Sequence, residues 1–227
     1  MRIRGLGKGG SSQLSKVVRR PLTQRCLERM RIPCGYWRVK IDRLSDGPHK
    51  RIVMRYMRRI DDAVKAGYGI VLCGENDSGK TSIASMILQE ARRRGYSGLF
   101  LTTQQYLAEC EGGTLFDDAQ TLQERSKNVD VLVLDDLGKE VSKYGTSTAG
   151  HERGVVVARF FDDLIRTRQS NMRSTVITTN LFPDMIRKKY GVSFCNLFKE
   201  RFGVVEIIGH SQRKIEGDLM VKFFSKD

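Results

Sequence analysis

The sequence predicts an α/β fold: a mainly parallel, five-stranded sheet flanked by helices. Three observations predict it. Beyond Gly67, short apolar runs alternate with helical stretches, the pattern of strands buried on both faces and joined by crossover helices. The 227 residues suit one substantial domain, and a hydrophobic content of 40% suffices for its core. A glycine-bearing turn, GENDSGKT over residues 74–81, connects the first apolar run to an amphipathic helix.

The strands are read at 69–73, 98–102, 129–135, 174–179 and 204–208, with helices in most intervals, notably 81–94 and 155–166. Ahead of the sheet, residues 1–20 combine Gly, Ser and basic residues with few large apolar ones and read as a mobile arm. Its GLGKGG is a weak match to a dinucleotide fingerprint, with no strand before it and no helix directly after it. Leu22, Cys26, Leu27 and Met30 then fall at helical spacing until Pro33 ends the run. After the turn Ser45-Asp46-Gly47-Pro48, a longer helix stops at Gly67, with Ile52, Val53, Tyr56, Met57, Ile60 and Val64 on one stripe. Its other face carries Arg51, Arg55, Arg58 and Arg59, which suits either a solvated helix or a nucleic-acid contact.

The net charge of +14 lies entirely in one part of the chain. Residues 1–59 hold 17 Lys and Arg against 3 acidic residues, whereas residues 60–227 hold 23 of each sign. A basic arm of this kind suits a polyanion or an acidic protein face, or else a solvated tail. Charged residues interrupt every apolar run well short of a membrane span, and the N-terminus lacks the apolar core of a secretory signal, so a cytoplasmic protein is expected. Five scattered cysteines, with no CxxC pair and no nearby histidine, read as free thiols and not as a zinc site or disulfide framework.

The chemistry concentrates at GENDSGKT. Gly74 and Gly79 permit a tight backbone path on which the N–H groups of Glu75, Asn76, Asp77 and Ser78 can face phosphate oxygens. Lys80 supplies a point charge for the β and γ phosphates and Thr81 a hydroxyl for Mg²⁺, at the positive end of the following helix. That helix is well formed, with Ile83, Ala84, Ile87, Leu88 and Ala91 on one face and Gly95 as its cap. Mg-ATP is therefore the expected ligand. Downstream, the apolar run Val131 to Leu134 delivers two carboxylates: Asp135 to support Mg²⁺, and Asp136 to polarise an attacking water. Asn180 closes the next strand, where its amide can hold that water.

With these motifs in place, the chain resembles the DnaC and IstB group of AAA+ ATPases, bacterial helicase loaders and transposition helpers. RMRIPCGYW resembles the segment that leads into the family's ATPase domain, VLVLDDLGKE its Walker B strand, and VITTNLFPDMIRKKYG its sensor 1 strand and following helix. LFKERFGVVEIIGHSQR resembles its closing pattern, an arginine before the last strand and Gly-x-Ser-x-Arg after it. The similarity extends over about residues 29–215.

The resemblance implies a basic N-terminal arm and lead-in segment over 1–47 and an AAA+ ATPase domain over 48–227. It makes Lys80 and Thr81 the Walker A pair, Asp135 and Asp136 the Walker B pair and Asn180 sensor 1. Arg201 becomes an arginine finger reaching a neighbouring subunit's site, and Arg213 a further nucleotide or DNA contact. It implies a homo-oligomer that assembles on single-stranded DNA, or on duplex, and serves a hexameric replicative helicase or, alternatively, a transposase. Two departures stand out. Asp136 occupies a position where many AAA+ proteins carry Glu, which suggests slow hydrolysis, and only some 30 residues precede the lead-in segment, too few for the helicase-binding domain of the larger loaders.

Overall fold

The computed structural model describes residues 19–111, 117–139 and 150–208; residues 1–18 of the arm read over 1–20, and Arg213, lie outside them. The described elements begin with three helices, α1 (Gln24–Arg29), α2 (Pro48–Arg58) and α3 (Ile60–Lys65). Next come β1 (Gly69–Cys73), α4 (Lys80–Arg93), β2 (Gly98–Thr102), α5 (Thr103–Glu111), α6 (Asp117–Asn128) and β3 (Val131–Leu137). The chain continues through α7 (Gly150–Ser170), β4 (Ser174–Thr179), α8 (Pro183–Arg201) and β5 (Phe202–Glu206).

The five strands make one sheet in the order β2-β3-β4-β1-β5, and every pairing is parallel. Because β3, β4 and β1 are neighbours, the turns leaving their C-terminal ends meet at one edge of the sheet, where ligands of open α/β sheets bind. β1 and β4 are buried at every position, as expected of strands covered on both faces.

Several boundaries differ from the sequence reading; α7, read as 155–166, extends over Gly150–Ser170. The helix expected to run from Pro48 to Gly67 breaks at Arg59, whose backbone (φ −102, ψ 27) leaves the helical region. Asp61 and Asp62 then lie in the first turn of α3, where they favour a new helix start, and Asp62 Oδ2 accepts from Arg59 Nε at 2.9 Å. β3 begins at Val131 and continues to Leu137 through a register shift between Leu134 and Leu137. β5 begins two residues earlier than expected because Phe202 pairs with Gly69, where a Cβ would collide with the Phe202 ring.

Two apolar clusters fill the molecule, one on each face of the sheet. Leu27, Met30 and Ile32 are buried in the first, together with Ile83, Ile87, Ile70 and Leu72. The segment before α2 therefore packs on α4, and Phe100 N–H donates to Met30 O at 2.8 Å. On the opposite face Tyr106, Phe161, Tyr190, Phe194, Phe198 and Phe202 form a row of ring contacts leading to the start of β5.

Arg168 is fully buried and makes five hydrogen bonds: Nε to Thr175 Oγ1, Nη2 to Ser174 O, and Nη1 to the carbonyls of Ser126, Lys127 and Val129. It satisfies carbonyls at the end of α6 and ties them to β4. Burial lowers the guanidinium pKa to about 9, so the side chain stays charged at neutral pH.

Candidate functional site: the cavity at the C-terminal edge of the sheet

At the end of β1 the chain turns through a loop that needs glycine twice. Gly74 (φ +145) lies so close to the strand edge that a Cβ would come within 2.5 Å of Ile207 O. Gly79 (φ +94) caps α4 from the left-handed region. Lys80, buried at 5% exposure, folds its ammonium back onto the loop and donates to Gly74 O at 3.1 Å, Glu75 O at 2.5 Å and Ser78 Oγ at 3.3 Å. Burial, and then the neighbouring Lys139, lower its pKa. A close-set loop, a buried cation and the N-terminus of a 14-residue helix are together a donor set suited to phosphate.

β3 approaches the same point. Asp135 is buried, and its Oδ1 accepts from Thr178 Oγ1 of β4 at 2.6 Å and from Thr81 Oγ1 of α4 at 3.0 Å. Burial raises its pKa despite those two donors. The register shift in β3 turns Asp136 into the left-handed region (φ +63) and out toward solvent. At the end of β4, Asn180 Nδ2 donates to Asn76 Oδ1 across the phosphate loop at 2.6 Å.

Asn76, Asp77, Gly79, Lys80, Thr81, Asp135, Asp136 and Asn180 thus line one cavity of about 240 Å³, joined by Tyr36, Ser82 and Lys139. Arg201 is not among them. It ends α8 and donates from Nη1 to Ala66 O at 2.8 Å, beside the N-terminal ends of β1 and β5.

A family model for IstB-like ATP binding proteins matches residues 47–184. The chain belongs to that family. An insertion sequence IS1162 putative ATP-binding protein from Pseudomonas fluorescens is 32% identical over 123 residues, which span 53% of this chain and 47% of that protein. Two solved structures share the fold at lower identity. The DnaC helicase loader superposes with a TM-score of 0.63 at 20% identity, over 78% of this chain and 100% of that one. DnaI does so with a TM-score of 0.65 at 19% identity, over 80% of this chain and 94% of that one. The fold is therefore that of an AAA+ P-loop ATPase. Among the described residues, no helix of this IstB-like chain is long and apolar enough to cross a membrane.

Besides Ser82, which lines the cavity, three residues of the cavity and its support escaped the sequence reading. Tyr36 reaches the cavity because Gln89 Nε2 of α4 donates to its carbonyl at 2.9 Å and Trp37 Nε1 anchors the turn to Ile32 O at 2.7 Å. Thr178 donates to the Asp135 carboxylate and accepts from Asp136 N–H at 2.9 Å, which fixes the first carboxylate and the backbone of the second residue from the neighbouring strand. Lys139 pairs with Asp136. The IP-x-x-Y spacing of the lead-in segment was a signal for Tyr36 and the three-residue spacing from Asp136 one for Lys139, whereas Thr178 shows no signal without the sheet register.

The raised pKa of Asp135 has a stability consequence. A carboxyl whose folded pKa lies above its ordinary value of 3.8 is penalised as the anion; the penalty is complete above the folded pKa and vanishes as pH falls toward 3.8. Asp135→Asn keeps an oxygen for both hydroxyls and removes the charge. In EDTA at neutral pH its Tm is expected to rise above that of the wild type. Thermal scans across pH check this: the gain should shrink on acidification, and a lower Tm at neutral pH would show that the carboxylate stabilises the fold.

Proposed function

We propose that this chain is an ATPase that uses ATP binding and slow hydrolysis to assemble on DNA and deliver a partner enzyme to it. The observation that carries the reading is the convergence of Lys80, Thr81, Asp135, Asp136 and Asn180 on one cavity at the C-terminal edge of the sheet. Lys80 binds the β and γ phosphates, and the glycines let the loop close around them. Thr81 and Asp135, already joined through a hydrogen bond, are the residues that would hold Mg²⁺, whose charge offsets that of the phosphates. Asp136 draws a proton from the attacking water. The water oxygen bonds to the γ phosphorus, and the bond to the bridging oxygen breaks with its electron pair left on ADP. The proton passes on to the released phosphate. Asn180, its amide held by Asn76, positions the water.

The assembly partner is read as a hexameric replicative helicase, from the motif resemblance over about residues 29–215, with single-stranded DNA on a basic surface. A second reading, a transposition helper that polymerises on duplex DNA and recruits a transposase, is supported by the 32% identical insertion-sequence relative. ATPase assays with single-stranded and duplex DNA, paired with capture of a replicative helicase and of a transposase, test both. Single-strand stimulation with helicase capture supports the loader; duplex filaments with transposase capture support the helper. Turnover that stays at background with either DNA removes the ATPase reading.

A further inference from the structure

The cavity holds a second lysine. Lys139 Nζ lies 2.9 Å from Asp136 Oδ1, and both residues line the cavity beside Lys80 and Thr81. The backbone of Asp136 has little freedom. Its N–H donates to Thr178 Oγ1 at 2.9 Å, and its carbonyl accepts from Thr103 Oγ1 at 2.9 Å and from Lys139 N–H at 3.1 Å. Its φ of +63 is one that a non-glycine residue rarely keeps unless its surroundings impose it.

With the main chain held at three points, the side-chain torsions are the soft coordinate left to Asp136, and Lys139 acts on them. Lys139 is itself held in place. Gly138 before it has φ +105 and lies so close to Leu181 that a Cβ would approach Leu181 Cδ1 to 2.7 Å. Its carbonyl accepts from Lys189 Nζ of α8 at 2.6 Å. The turn from Asp136 to Lys139 is thereby fixed against the end of β4 and the first half of α8, and it returns the ammonium over the carboxylate.

We propose that Lys139 is a positioning residue that restrains Asp136. By bonding a carboxylate oxygen it weakens that group as a partner for the attacking water and keeps turnover low. The inference rests on the reading of Asp136 as the residue that polarises water. The pair is half exposed, with side-chain accessibilities of 50% and 38%, so the restraint is modest. Couplings between exposed ion pairs correspond to roughly twofold to fivefold in a rate.

The test uses the full chain and steady-state hydrolysis of Mg-ATP, together with ATP and ADP binding. Lys139→Met should raise kcat about twofold to fivefold with KM for ATP unchanged, and Lys139→Arg, which keeps the cation, should stay near wild type. The double variant Lys139→Met/Asp136→Asn should be no faster than Asp136→Asn alone, because the restraint acts only through that carboxylate. An unchanged kcat in Lys139→Met overturns the proposal. So does a fall in kcat with a selective loss of ATP over ADP affinity, which would make Lys139 a γ-phosphate contact. If Asp136→Asn itself turns over at the wild-type rate, the assignment of Asp136 fails; if it is slow while Lys139→Met matches wild type, only the restraint fails.

Discussion

Lys80→Ala is expected to lose ATP binding, with Kd rising roughly 100-fold or more, while Asp136→Asn keeps its affinity and loses turnover. The difference follows from what each group does. The Lys80 ammonium is buried and bonded to two loop carbonyls and the Ser78 hydroxyl, so it is held at the loop and exchanges those bonds for phosphate oxygens when ATP binds. A hydrogen bond to a charged group contributes about 1.5–3 kcal/mol, and against a triphosphate the upper end applies, which converts to about two orders of magnitude in Kd. Asp136 lines the same cavity as a carboxylate, so its loss is expected to touch a water-orienting step and not a phosphate contact. Isothermal titration with ATP and steady-state hydrolysis of both variants check the pair. Equal ATP affinity in wild type and Lys80→Ala would remove the central assignment. A Tm measured alongside guards against a loop that has merely lost its internal bonds.

How much of this was legible in the sequence depends on whether the partners are close along the chain. The phosphate loop was legible because its glycines, its lysine and the helix stripe Ile83, Ile87 and Ala91 are all within one short segment, each local choice agreeing with the next. The strands β1, β2 and β4 fell where apolar runs placed them. The shift in β3 was not legible, because it depends on how Leu134 and Leu137 pair with β4, and a register is a property of two strands. The buried role of Arg168 was hidden for the same reason: its partners come from α6, the turn after it and β4. The break at Arg59 was missed because the apolar stripe continues in phase across it through Ile60 and Val64.

Arg201→Ala is expected to bind ATP normally and to hydrolyse it about 10³- to 10⁵-fold more slowly, the range an arginine finger supplies. The fold says where that arginine can act. Phe202, the next residue, pairs with Gly69 at the start of β1, whereas the phosphate loop leaves β1 after Cys73. The length of a five-residue strand, roughly 16 Å, separates the two ends of the sheet, so Arg201 does not reach the cavity of its own chain. A contribution to hydrolysis therefore requires a neighbouring protomer, and turnover per subunit should rise with protein concentration or with DNA. Mixing separates the roles further: Lys80→Ala subunits have no working loop yet keep Arg201, so adding them should partly restore turnover at Arg201→Ala sites. The bond to Ala66 O predicts a small stability loss as well, about 1 kcal/mol, which a thermal scan distinguishes from the catalytic effect. Wild-type turnover by Arg201→Ala on saturating DNA would leave the arginine as a tie between α8 and the turn before β1, and the site would have to be completed by another residue or work within a single chain.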